Sequence, residues 1–443
     1  MALRHRLAVS LAIGAAACAR STAVTDSAAP FGEPNPWPAI RAERIARLLP
    51  GAFATAGVDA WITLLRENAN DPLALHVGGE NAGAPAAVIF FRTGPGDSAV
   101  RSVMLTGFGE AIALRELGIH DSVVVYERGT GALEAAIAAR IKAANPSRIA
   151  INSGSGSVAD GLSYSQRVGL ERALGPGFTA RLVPSEPLVN AWLAVKLPAE
   201  VDIMRRAAAL TVQLELEAYA AVEPGVTRDS DVARFLKRRM RQLGVEDGWS
   251  PAQNPSVNSG PDRGHSHASD RVIQPGDVIQ TDFGIKVHGV WVTDIQRFAY
   301  VLKPGEAAPP SDLREKWNAA LRGGHAAFQS IRPGATGAEV DSAQRLVMNA
   351  AGSTPVPWGT GHSVGYWAHD GGPGLSRREG RVLAPGHVLA FDSFFAWALP
   401  GSDGSTWGSG TKTISVEEMA VVTQSGAEYL TAPQRDLVLI RSR

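Results

Sequence analysis

Helical hydrophobic periodicity begins near Ile40, in the stretch 39–57 (AIRAERIARLLPGAFATAG). Short apolar runs then alternate with helical ones. The runs 60–64, 86–91, 102–105, 122–126 and 148–152 read as strands, and 131–144 reads as an alanine-rich helix ended by Asn145-Pro146. Such alternation predicts an α/β domain, assigned here to residues 37–190.

The pattern changes between residues 183 and 198. Lys196-Leu197-Pro198-Ala199-Glu200 opens a long amphipathic helix over 199–221, a turn follows at 224–227, and a second helix is predicted over 229–243. Residues 251–270 (PAQNPSVNSGPDRGHSHASD) read as loop. Strands come next, then helices over 311–330 and 336–351, then strands and glycine-rich loop, with 400–410 the longest loop. Residues 195–443 therefore form a second, α+β domain.

The amino terminus has a different pattern. Arg4, His5 and Arg6 precede an apolar stretch, 7–17, that ends in three alanines. It is too short to span a bilayer and reads as an export signal over residues 1–18. Export places the mature chain in the periplasm or outside the cell. Cys18, the single cysteine, follows the alanines as in a lipoprotein signal, although Ala15 stands where leucine is usual. Ordinary signal cleavage is the alternative to a lipid anchor at Cys18. Residues 19–36 are small, polar and proline-bearing, and read as a tether. No disulfide is available, so packing must hold the fold.

The chain has 443 residues, more than one hydrophobic core accommodates. Apolar residues make up 45% and charged ones 19%, as in globular proteins, and the formal net charge is zero. That balance argues against nucleic acid as a partner.

The chemistry lies in acids set in apolar surroundings. Asp282 lies inside the run VIQTDF, and a hairpin turning at His288-Gly289 would bring Asp294 beside it. Two adjacent carboxylates repel unless a cation sits between them. Asp392 lies in VLAFDSFF and Glu417 in TISVEEMAVV, where period two puts Glu417 and Glu418 on opposite faces. Glu418 is left either to orient a ligand from behind or to face solvent. His362 and His369 belong to a glycine-rich stretch, WGTGHSVGYWAHD. Four acids and an imidazole, all oxygen or nitrogen donors, suit a pair of divalent cations.

The order Asp282, Asp294, His362, Asp392, Glu417 resembles the creatinase-like, or pita-bread, metallopeptidases. The likeness is nearest to the aminopeptidase P and prolidase (Xaa-Pro dipeptidase) branch. Lys196 to Glu200, Pro275-Gly276-Asp277 ahead of Asp282, and Leu383-Ala384-Pro385-Gly386 ahead of Asp392 fit the same pattern. The resemblance implies an α/β amino-terminal domain followed by a pita-bread catalytic domain. It implies two divalent ions (manganese, zinc or cobalt) chelated by Asp282, bridged by Asp294 and Glu417, and completed by His362 and Asp392. A hydroxide bridging the ions would attack the scissile carbonyl of a short peptide. His265 and His369 match the family's substrate-facing histidines, with His267 as a structural neighbour, and Asp392 matches its proton shuttle. A homodimer is expected on the same ground.

Three features depart from the family pattern. Asp392 replaces a glutamate and is one methylene shorter. The step from Asp282 to Asp294 is twelve residues, one more than usual, which predicts a β-bulge between Gly289 and Asp294. Ser415 and Trp358 stand where proline-selective members carry arginine and histidine, so selectivity for proline is not implied. Two further readings keep the fold but change the function. One is a creatinase-like C–N hydrolase, the other a non-catalytic binding protein with an impaired metal site.

Overall fold

The computed structural model describes residues 30–94, 99–154, 158–262, 268–399 and 410–441. Cys18, the export signal, the first part of the tether, His265, His267 and most of the loop 400–410 lie outside the described residues.

Six strands form the amino-terminal sheet: β1 (Ala60–Leu65), β2 (Ala86–Arg92), β3 (Val100–Thr106), β4 (Ser122–Val125), β5 (Ile149–Ile151) and β6 (Leu182–Pro184). Their spatial order is β4-β3-β2-β1-β5-β6. The middle strands pair antiparallel and the flanking ones parallel. The central strands β1 and β2 are apolar along nearly their whole length because helices cover both faces. Trp61 and Phe90 pack on one side of the sheet, and Ile62 and Ile89 pack against the helix Ala132–Ala144 on the other.

The second domain holds β7 (Glu246–Asp247), β8 (Ser256–Ser259), β9 (Val278–Phe283), β10 (Ile285–Val287), β11 (Trp291–Val292), β12 (Ile295–Val301), β13 (Gly361–Ser363), β14 (Val388–Ala398), β15 (Thr411–Val422), β16 (Ala427–Tyr429) and β17 (Val438–Ile440). Eight of these make one curled sheet along the path β13-β14-β15-β12-β9-β8, with β16 on β15 and β17 on β12. β7, β10 and β11 form a small separate sheet.

Two helix pairs cover the sheet's back. The helix Pro198–Ala220 lies behind β9 and β12, where the Tyr219 hydroxyl donates to the Arg297 carbonyl at 2.6 Å. The helix Ser311–Ser330 packs behind β14 and β15, with Ala327 and Ile331 against Leu389, Phe391 and Ala420. The opposite, concave face is left to the cavity. This is the pita-bread arrangement, joined to a mixed α/β domain. Among the described residues no helix is long and apolar enough to cross a membrane.

Two details differ from the sequence reading. β8 lies within the stretch 251–270 read as loop; it pairs antiparallel with β9 at one edge of the path. Its sequence, SVNS, is too polar to show a strand's hydrophobic pattern. The β-bulge predicted between Gly289 and Asp294 is absent. Pairing runs in one register from Val278↔Tyr300 to Val287↔Trp291, and the turn holds three residues, His288 to Val290. His288 and Gly289 both take positive φ, 52° and 69°, which closes the turn; pairing lapses at Gly284 and Thr293-Asp294 but resumes without a shift of register.

A buried polar knot joins the domains. Arg44 of the first domain donates to Glu200 Oε2 at 2.6 Å and to the carbonyls of Trp192 and Val195. Glu200 Oε1 accepts from the Tyr366 hydroxyl at 2.5 Å and from Trp291 Nε1 at 3.1 Å. Lys196 pairs with Asp370 at 2.8 Å, and Asp370 also accepts from the amides of Tyr366 and Trp367. The motif around Lys196 thus holds both the hairpin ahead of Asp294 and the loop that carries His369.

The candidate metal centre

The sheet's register builds the site. Asp392 pairs with Glu417, Glu417 with Gln296, Gln296 with Asp282, and Asp282 with Ser256, across β14, β15, β12, β9 and β8. Residues directly opposed in antiparallel strands project to one face about 4.5–5.5 Å apart. Asp294 precedes Gln296 by two and shares that face. His362, on β13, extends the group at the other edge.

One cavity of about 730 Å³ takes in Asp282, Asp294, His362, His369, Asp392 and Glu417. Its remaining walls include Trp249, Trp358, Ser256, Gln280, Gln296 and Ser415.

Within it Asp294, His362 and Glu417 each present one donor atom, all within 4.8 Å of one another. His362 Nε2 lies 3.8 Å from Asp294 Oδ2 and 3.6 Å from Glu417 Oε1. Both carboxylates are buried, and among the described residues no lysine or arginine side chain pairs with either. Burial, then Asp282 and Asp392, push the Asp294 carboxyl well above its ordinary range. Burial and the three neighbouring aspartates do the same to Glu417, opposed by the amide of Gln296. A divalent cation would favour the charged forms and relieve the repulsion. The donors present, two carboxylates and an imidazole, fit Mn, Zn or Co.

Asp282 and Asp392 stand outside that inner group. Asp282 lies within hydrogen-bonding reach of Asp294. The Asp392 Oδ1 accepts from Ser415 Oγ at 2.7 Å and from Gln296 Nε2 at 3.1 Å. The His369 ring lies 4.0 Å from that of His362, tilted by 31°. Behind the sheet, Glu418 is buried and pairs with Arg297 at 2.9 Å, so it does not face solvent. Reading the sequence did not pick out Gln296, Gln280 or Ser256. The period-two step from Asp294 was the available signal for Gln296.

An acid-lined cavity on the concave face of a pita-bread sheet defines a metallopeptidase class. Residues 202–424 match the profile of Metallopeptidase family M24, and the chain belongs to that family. It is 29% identical over 249 residues to a probable dipeptidase PepE of Mycobacterium tuberculosis; the match covers 56% of this chain and 60% of that protein. The crystal structure of dipeptidase PepE from Mycobacterium ulcerans superposes with a TM-score of 0.68 at 22% identity, covering 91% of this chain and 99% of the other. That of an X-Pro aminopeptidase from Thermotoga maritima gives 0.67 at 21% identity, covering 90% and 100%. These two likenesses establish the fold.

Proposed function

We propose that this chain hydrolyses short peptides in a metal-dependent reaction, as an aminopeptidase or dipeptidase. The observation that carries the reading is the convergence of Asp294, His362 and Glu417 in one cavity, with Asp282 and Asp392 beside them. The dipeptidase and aminopeptidase names of the relatives support the substrate class.

In this reading Asp282, Asp294, His362, Asp392 and Glu417 hold two divalent ions, manganese, zinc or cobalt. The ions supply Lewis acidity and an activated water. His369, at the cavity rim, donates to the carbonyl oxygen as charge develops there, and His265 is proposed to share that task. Asp392, held by Ser415 and Gln296, is the proposed proton carrier to the leaving amine. Ser415 and Trp358 occupy the positions tied to proline selectivity, so the expected substrates include dipeptides without proline.

The test uses chelator-stripped protein reloaded with Mn²⁺, Zn²⁺ or Co²⁺ and assayed on Xaa-Pro and non-proline dipeptides and on longer peptides. Activity restored by metal and abolished by His362→Ala is the expected result. A fully reloaded protein that turns over none of these peptides removes the reading.

The position of Asp392 favours a second one. An acid held outside the inner group suits a chain that keeps a single ion and binds peptide without cleaving it. Metal content near one per chain with no turnover selects that alternative. Export, a lipid anchor at Cys18 and a homodimer are also proposed, and are checked by cell fractionation, mass spectrometry of the mature amino terminus and light scattering.

A further inference from the structure

We propose that Gln296 is a positioning residue of the metal centre: its side-chain amide ties Asp392 to Glu417 and selects which carboxylate oxygens face the ions. The inference rests on the metal reading above, but not on peptide cleavage.

The row Asp392, Glu417, Gln296 spans three neighbouring strands. An aspartate at its end is two strand spacings, roughly 10 Å, from the backbone of Gln296. An extended glutamine reaches roughly half of that gap past Glu417, and the Asp392 side chain and a hydrogen bond close the rest. Its Nε2 lies 3.0 Å from Glu417 Oε2 and 3.1 Å from Asp392 Oδ1. A primary amide has two hydrogens, and both are used. Its oxygen accepts from Gln280 Nε2 at 2.7 Å. That bond fixes the amide's orientation, because a turned amide would aim oxygen at two carboxylates and nitrogen at another donor.

The consequence is selective. Glu417 Oε2 is engaged by the amide, while Oε1 lies nearest His362 at 3.6 Å. Asp392 Oδ1 carries two donors, from Gln296 and Ser415. Two acids that would repel share one neutral donor and are held in register. Gln296 thereby compensates for the short aspartate by fixing it from the far side of Glu417. Partners of this kind orient metal ligands, and their loss typically lowers metal affinity roughly 10–100-fold.

The experiment measures Mn²⁺ affinity of the metal-stripped full chain by competition with a fluorescent chelator. Gln296→Met keeps the length and removes both donors; it is expected to weaken Mn²⁺ binding about 10–100-fold. In the background of Asp392→Asn the same change should cost much less, because one tied group is already neutral. Affinity within twofold of the unsubstituted chain, or strictly additive effects in the double variant, overturns the inference. Should Gln296→Met not fold, Gln280→Met releases the amide's orientation and should weaken binding several-fold; unchanged affinity there overturns it equally. An unsubstituted chain that takes up no Mn²⁺ removes the metal reading itself, whereas uptake with an indifferent Gln296 removes only the positioning role.

Discussion

Single residues carry the site because each ionisable group has a local reason for its state. His387 shows this away from the cavity. It is buried, and its Nδ1 accepts from the Ala384 amide at 3.3 Å. Burial, with Lys196 and Arg381 nearby, holds its pKa down at about 4, against an ordinary 6.5. An unfolded chain binds that proton below pH 6.5 and the folded chain does not, so stability falls as pH drops from 6.5 towards 4. The contribution reaches about 2 kcal/mol by pH 5. His387→Gln is expected to flatten that part of the profile, read by denaturant unfolding at pH 7.5 and pH 5; an unchanged slope would show that other groups dominate. The site's acids were legible for the same reason His387 was not. An acid in an apolar strand needs a partner and draws attention, whereas a histidine before a strand resembles any other. Gln296 also escaped notice, since a neutral amide raises no such demand and its reach depends on register.

Elements were most legible where one periodic face is buried. The helices Asp229–Leu243 and Ser311–Ser330 begin and end where the sequence pattern placed them. β8 was missed because its four residues carry no apolar alternation. The hairpin's extra residue was expected in a strand, but a turn absorbs it at lower cost than a bulge inside a two-sided ladder. Gly284 reveals how tight that ladder is. A Cβ there would sit 2.0 Å from the Thr293 carbonyl oxygen and 2.4 Å from the Trp249 ring. Gly284→Ala must push the Thr293-Asp294 segment away from the end of β9, which carries Asp282. Overpacking of this kind costs about 1–3 kcal/mol. The expected outcome is a thermal midpoint lower by several degrees together with weaker Mn²⁺ uptake; a midpoint and an affinity both unchanged would mean the hairpin gives way freely.

On the scale of the whole molecule, the two-domain plan was legible from alternation and composition, but the joint between the domains was not. Lys196 to Glu200 read as the start of a helix, yet Glu200 accepts from Arg44, Tyr366 and Trp291, which lie far from it and from one another in sequence. Contacts at such separations leave no local pattern. The M24 match begins at residue 202, two positions beyond Glu200. A clone cut there would keep all five candidate ligands and lose the knot. The cut takes Arg44 and Glu200 away together but strips Lys196 from buried Asp370, and removing one side of a buried ion pair typically costs about 3–5 kcal/mol, a large share of a domain's stability. Residues 202–443 expressed alone are therefore expected to be insoluble or to melt well below the full chain; a soluble fragment with full-length Mn²⁺ affinity would contradict this.

That joint also bears on inheritance. Because Arg44 donates to an acid that steadies Trp291 and Tyr366, the front half contributes to the geometry of the back half although none of its described residues lines the cavity. A chimera built with a relative's leading domain would need to import an arginine at the matching place, or supply another counter-charge. The two halves are consequently constrained to change together, and the seam between them is a poor place for recombination.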